Sequence, residues 1–295
     1  MDRTLTTAPR LTSQNGPFDA DIAGALAASH YNPATTATLL RAHAWWSSWR
    51  QHARVAPSDI SLIPTFFRTL VAAGATKADL GAVATVLGFV FRTIPGFAAI
   101  TPGKWSASVP LRPLSLAEIA ALSGQCVHPG SRVVLGLLFG AGISEKHARS
   151  LSRQQIDWKG QRLVVQRPEG ARWCPLPACV GPPLARALAS PGDALVADRN
   201  GAPLLATAFR ADLASAAAKL GLAHRVTPGG VRRSFGAHHL RAGKDFRSLL
   251  ARLELPDSSG RVPRLPGPAE LATAPANSQV SPPHISFPFV SGPPR

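Results

Sequence analysis

Arg232 and Arg233 stand side by side where a helix is expected to begin. Guanidinium groups held at a helix start suit the binding of phosphate oxygens, because the fork of donors matches two oxygens and the helix dipole favours an anion there. The start is written in the residues around them. Thr227 is a candidate cap, Pro228 fits a first turn because its missing N–H has no partner to lose, and Gly243 is a candidate left-handed stop. The spacing predicts a helix from about Pro228 to Ala242, with Val231, Phe235 and His238 or His239 facing a core.

Other elements must hold that helix in place. Asn32-Pro33 opens a helical pattern reaching about Ala53, with Leu39, Leu40, His43, Trp46 and Arg50 along one side and Trp45 and Trp49 one turn apart. The tryptophans could stack on bases, although aromatic residues at this spacing are more often core. Pro57-Ser58 opens a second helix with Ile63, Phe66, Phe67, Leu70 and Val71 as its stripe and Gly74 as its stop, and Thr76 caps a third through Leu80, Val83, Leu87, Val90 and Phe91. These make a small helical bundle over 31–95, after a polar lead over 1–30. Residues 96–113 read as a linker, rich in Gly, Ser and Pro without periodicity.

A second unit is expected over 114–253. Ser115-Leu116-Ala117-Glu118 is a capping box, Ser131 to Phe139 an apolar helix, and Arg162–Arg167 with Arg172–Leu176 a basic hairpin. Helices follow near Pro183–Ala189, Ala206–Leu220, Pro228–Ala242 and Lys244–Leu253. Residues 254–295 are rich in Pro, Ser, Gly and Ala and lack the apolar periodicity needed to order themselves.

Composition narrows the partner. The chain has 295 residues, 45% hydrophobic and 16% charged, with a formal net charge of +16. That is room for two soluble domains, and the charge favours a polyanion through counterion release. The alternative is a coding bias toward arginine, but the charge is clustered: Lys219 to Arg252 holds eight basic residues against Asp245 alone. Double-stranded DNA is the expected partner. Cys126, Cys174 and Cys179 have no metal-ligand spacing and leave an odd thiol, which argues for a reducing compartment, structural thiols and no metal or other cofactor. No apolar run suits a signal peptide or membrane span, so a cytoplasmic protein with no membrane partner is expected.

The run Thr227 to Gly243 resembles the C-terminal signature of tyrosine recombinases, the phage-integrase and Xer-like family, T-P-H-x-L-R-H-[ST]-F-A-T-x-L-x-x-x-G. The resemblance covers roughly Pro33 to Leu253. It implies a mainly α fold: an N-terminal helical, SAM-like core-binding domain, and a mixed α+β integrase catalytic-like domain with a small β-hairpin or sheet. It further implies strand exchange, in which a tyrosine attacks a phosphodiester, two arginines hold the non-bridging oxygens, and a lysine and histidines manage protons.

The slots are degenerate. Arg232 keeps the family arginine, Gly229 stands for the first histidine and Arg233 for the second. Ala141-Gly142-Ile143-Ser144, aligned without gaps, places Ser144 in the slot of the other arginine; a shifted alignment on Ile143-Ser144-Glu145 places Gly142 there, and neither restores the guanidinium. Arg149, about a turn away, either reaches the same phosphate or is an ordinary exposed arginine. Arg167 occupies the lysine slot, where its guanidinium can hold charge but gives up a proton poorly, and Arg172 keeps the trailing hairpin arginine; alternatively both flank a solvated hairpin. Glu254-Leu255 replaces Gly-His, so that Leu255 fills a histidine slot, and Arg264 stands where the nucleophile belongs. Tyr31, ahead of the bundle, is the single tyrosine, and nothing beside Ser258 or Ser259 activates a hydroxyl.

Taken with this resemblance, the sequence is expected to encode a DNA-binding recombinase-like protein linked to DNA integration and recombination, unable to cleave DNA by itself. Arg232 is its candidate catalytic residue, and Arg149, Arg167, Arg172, Arg232 and Arg233 its candidate DNA contacts. It would assemble on DNA as a homo-oligomer or with an intact recombinase. The alternatives are an active enzyme with non-standard residues or a nucleophile supplied in trans, or a helical regulatory module. The break after Leu253 fits either a change of reading frame or a native disordered tail.

Overall fold

A computed structural model describes residues 22, 24–26, 28–29, 31–51, 59–91, 112–165, 171–189, 194–257 and 259–263. The linker over 96–111, most of the expected polar lead, Arg167, Ser258 and the tail from 264 onward lie outside the described residues. The fold is mainly α with one small antiparallel sheet, as the sequence leads one to expect.

The bundle is made of α1 (Pro33–Arg50), α2 (Ile63–Ala72) and α3 (Lys77–Phe91). Asn32 caps α1 by accepting from Thr35 N–H. Asp59 accepts from Ser61 N–H and starts a 3₁₀ turn, Ile60–Leu62, that leads into α2. The expected helix start at Pro57-Ser58 lies outside the described residues. Thr76 and Asp79 cap each other ahead of α3. Trp45, Trp46 and Trp49 are 4%, 2% and 1% exposed, so no face is left for a base, and the core reading of these residues holds. Trp46 and Trp49 pack instead on Phe66, with centroids 5.1 Å apart in each pair. Ile22 and Leu26, from the stretch expected to be a polar lead, are buried in the same cluster.

The second unit begins with α4 (Leu116–Gln125), whose capping box between Ser115 and Glu118 forms as expected, and α5 (Pro129–Gly140), which starts earlier than its apolar run suggested. Buried Asp212 holds that earlier start by accepting from the backbone N–H groups of Val127 and His128. Next come the short α6 (Glu145–Arg149) and the strands β1 (Ile156–Asp157), β2 (Arg162–Val165) and β3 (Arg172–Pro175). They pair in the order β1-β2-β3, Leu163 lying opposite both Ile156 and Cys174. β1 was not anticipated. The chain continues through α7 (Gly181–Ala189), α8 (Ala206–Lys219), α9 (Pro228–Arg241) and α10 (Phe246–Leu253). No helix among the described residues is long and apolar enough to cross a membrane.

α9 joins two cores. Its first half places Val231 in the cluster formed by α4 to α8 and the sheet, while Phe235 and Leu240 enter the bundle cluster together with Phe246, Leu249, Leu250 and Leu253 of α10. The two units meet backbone to backbone. A Cβ on Gly74 (φ 95°) would overlap the carbonyl oxygen of Arg233, and one on Gly236 the carbonyl oxygen of Ala73. Arg41 of α1 adds a hydrogen bond to the Arg241 carbonyl at 3.0 Å.

Candidate nucleic-acid interface

Thr227 caps α9 as expected, its Oγ1 accepting from Gly230 N–H at 2.9 Å, and Gly243 follows the helix at φ 63°. The first turn so fixed sets the direction of Arg232. Its Nε donates to the Gly142 carbonyl at 2.7 Å. Gly142 lies in the turn between α5 and α6 at φ 69°, and a Cβ there would run into the Phe235 ring, so the turn requires glycine twice over.

Three further side chains converge on Arg232. Glu254 Oε1 lies 3.5 Å from Arg232 Nη2 and 3.6 Å from His147 Nδ1. Ser144 Oγ is 3.0 Å from the same His147 nitrogen. The Arg232, His147 and Glu254 side chains are 23%, 26% and 22% exposed, while the Arg232 Nη2 that faces Glu254 is itself buried. The arrangement is not a proton relay from serine to carboxylate, because Ser144 and Glu254 address the same imidazole nitrogen, whereas a relay uses both. Ser144 is the cap of α6, accepting from His147 N–H. Its hydroxyl, in the arginine slot, provides no cation.

The remaining candidates are dispersed. Arg149 is held by Glu145 at 3.5 Å and reaches the Leu204 carbonyl at 3.4 Å, which commits its guanidinium within the protein. Arg172 begins β3 opposite Val165. Gly229 lies in the first turn of α9 with open space where a side chain would point. Leu255, in a histidine slot, packs against the bundle core.

Arg233 turns away from Arg232. It lines a cavity of about 320 Å³ with Arg112, His224, Arg225, Thr227 and the Gly74–Thr76 turn. Its Nε is buried without a hydrogen-bond partner among the described residues. Arg225, beside it, is neutralised by Glu118 at 2.9 Å. Burial is the largest influence on the Glu118 carboxyl and raises its pKa, but hydrogen bonds from Ser115 and Arg225 outweigh it and bring the pKa down to about 2.

His238 and His239 both turn inward, as two alternatives had allowed for one of them. His238 Nε2 donates to the Leu114 carbonyl at 2.8 Å, and Ser234 accepts from Leu114 N–H, so α9 also anchors the entry to the second unit. His239 lies 4.8 Å from the Phe235 ring. Burial first, then Arg252 and Lys244, lower its pKa to about 4 against the opposing pull of Asp245, which makes it a neutral packing residue near pH 7. Cys126 is equally inert as a thiolate, its pKa pushed up to about 12 by burial and then by Asp212.

Sequence reasoning pointed to Arg232 and not to the side chains that surround it. His147 carried one available signal, its place three residues after a capping serine. Glu254 carried another: it stands where a left-handed helix end favours glycine.

No family model and no curated relative matches the chain. Among solved structures, a XerA recombinase is similar with a TM-score of 0.46 and 14% identity, over 86% of this chain and 95% of that one. The Tn1549 transposon integrase in complex with a circular intermediate DNA gives 0.43 and 14%, over 82% and 92%. A lambda integrase dimer bound to a COC' core site gives 0.37 and 13%, over 81% and 90%. Identities this low, with TM-scores below one half, do not by themselves place the chain in a family.

Proposed function

We propose that this chain is a DNA-binding protein of the tyrosine recombinase and integrase type, which engages duplex DNA through the start of α9 and serves DNA integration or recombination without breaking a strand itself. The observation that carries the reading is Arg232, pinned by the Gly142 carbonyl at the capped start of a helix within a strongly basic segment. A phosphate oxygen is the natural partner of a guanidinium so placed. The residues needed for cleavage are replaced: Ser144 is a cap, Leu255 is packed in a core, and Tyr31 lies ahead of α1, 39% exposed. Arg167 and Arg172, at the hairpin, would add electrostatic contacts to the backbone. Assembly on DNA with an intact recombinase would supply the missing nucleophile.

The expected result is duplex binding that weakens with salt. With about three phosphates engaged, affinity falls roughly 40-fold between about 50 and 200 mM salt. Replacing both Arg232 and Arg233 by alanine lowers affinity across all sequences and reduces the salt slope by about two. On a nicked suicide substrate no covalent protein–DNA adduct forms. An adduct would overturn the non-cleaving half of the reading, and failure to bind a duplex at low salt would favour a helical regulatory module.

A further inference from the structure

Glu254 is out of place in two respects. It follows α10 at φ 57° and ψ 34°, a left-handed conformation that disfavours a residue with a Cβ. It also sets a carboxylate against Arg232 and His147, the groups that would otherwise face a phosphate. The backbone conformation aids the second placement, since the left-handed turn reverses the chain after Leu253 while Leu255 remains packed on the bundle and its N–H bonds the Leu250 carbonyl.

The fit is loose. Separations of 3.5 and 3.6 Å are longer than a charge-assisted hydrogen bond, and one carboxylate oxygen, Oε1, faces both partners. A phosphodiester offers two non-bridging oxygens at charge-assisted hydrogen-bond length, so it can use donors that Glu254 leaves at longer range. Other arginines nearby are also matched to acids, Arg149 and Arg210 to Glu145 and Arg225 to Glu118. Those acids sit in regular helix starts, at the first position of α6 and in the Ser115 capping box, where they have structural work. Glu254 instead follows the end of α10, with its Oε1 directed at Arg232 and His147.

We propose that Glu254 is an internal occupant of the anion site formed by Arg232 and His147, and that a phosphate group binds there by displacing it. Glu254 thus sets the affinity of the site and raises the threshold for DNA binding. This rests on the DNA-binding reading for the identity of the ligand, but not for the site itself.

Two probes separate the two ideas. Inorganic phosphate is titrated against the full chain with the ¹⁵N shift of the Arg232 Nε–H as readout, and a short duplex is titrated by fluorescence anisotropy. Glu254→Gln keeps size and removes charge; Glu254→Gly suits the left-handed backbone and guards against misfolding of the first variant. Each is expected to tighten phosphate binding about tenfold, the scale of removing one competing charge from a partly desolvated pair. Each is also expected to steepen the salt slope of duplex binding by about one. In an Arg232→Ala background, with the His147 ring shift as readout, the gain on removing Glu254 shrinks to the small contribution of His147. If neither variant tightens phosphate binding, the proposal is overturned even where the duplex binds. A gain that persists undiminished without Arg232 overturns it as well, since it would then reflect overall charge. Tighter phosphate binding with no duplex binding by any form upholds the internal occupant and removes the DNA reading.

Discussion

Gly236→Ala is expected to destabilise the folded chain by about 3 kcal/mol, at the upper end of overpacking costs. On an exposed helix the same change would be favourable, because alanine is the better helix former by about 1 kcal/mol. The sign reverses here because the added methyl would overlap the Ala73 carbonyl oxygen, a backbone atom that no rotamer change can move. Ala73 cannot retreat alone either. Its N–H is bonded to the Thr69 carbonyl at 2.8 Å, and Gly74 beside it is already pressed on the Arg233 carbonyl. Relief would have to separate the bundle from α9, exposing Phe235 and Leu240. Gly229→Ala, two turns earlier on the same helix with nothing near its added carbon, is the matched control and should be neutral or stabilising by up to about 0.5 kcal/mol. Urea midpoints of the two variants, at unchanged slope, test the contrast. Equal midpoints would mean that bundle and α9 are not docked at this joint.

That joint was beyond what the sequence could reveal. A helix near Lys244–Leu253 was expected, but periodicity names a face and never its partner, and Leu249, Leu250 and Leu253 of α10 pack in the bundle cluster. Features set by neighbours in sequence were legible. Thr227 and Gly243 bounded α9, Ser115 and Glu118 opened α4, and the apolar run at Leu163–Val165 gave a strand. Features set by long-range bonds were not: the chain just ahead of α5 is held by Asp212 and the first-turn N–H of Gly130 by the Ala197 carbonyl, both from far along the chain, and β1 is a two-residue strand with no period to read. The three tryptophans fell between, since stacking platform and core share a spacing and burial alone decides. At the site, Arg232 was legible from its helix. The company of His147 and Glu254 depends on how the turn after α5 and the end of α10 are brought to it.

Acidification from about pH 7.5 to 4.5 is expected to remove about 2.5 kcal/mol of stability through His239 alone. The sign follows from the two pKa values. In the unfolded chain the imidazole titrates near 6.5, whereas in the fold its pKa is about 4, lowered by burial and by Arg252 and Lys244. Between these values the unfolded state binds a proton that the native state refuses, so the contribution is whole above pH 6.5 and is lost as pH falls toward 4. Glu118 acts in a separate, lower window: its carboxyl titrates near 4.5 when unfolded and at about 2 when folded, so its share is lost as pH falls from 4.5 toward 2. Stopping at about pH 4.5 therefore isolates the histidine. The measurement is urea unfolding of wild type and His239→Leu across that range, with the difference between them as the quantity of interest, because the other histidines cancel in it. The difference should shift by about 2.5 kcal/mol in favour of the variant as pH falls. A difference independent of pH would show that His239 is solvated and that α9 and α10 are not packed around it. The location makes the result bear on function: Lys244 and Arg252 flank the same imidazole, and α10 ends in Glu254. Leucine at 239 relieves α10 of this penalty, so the helix that ends in Glu254 should stay docked to lower pH in His239→Leu than in wild type.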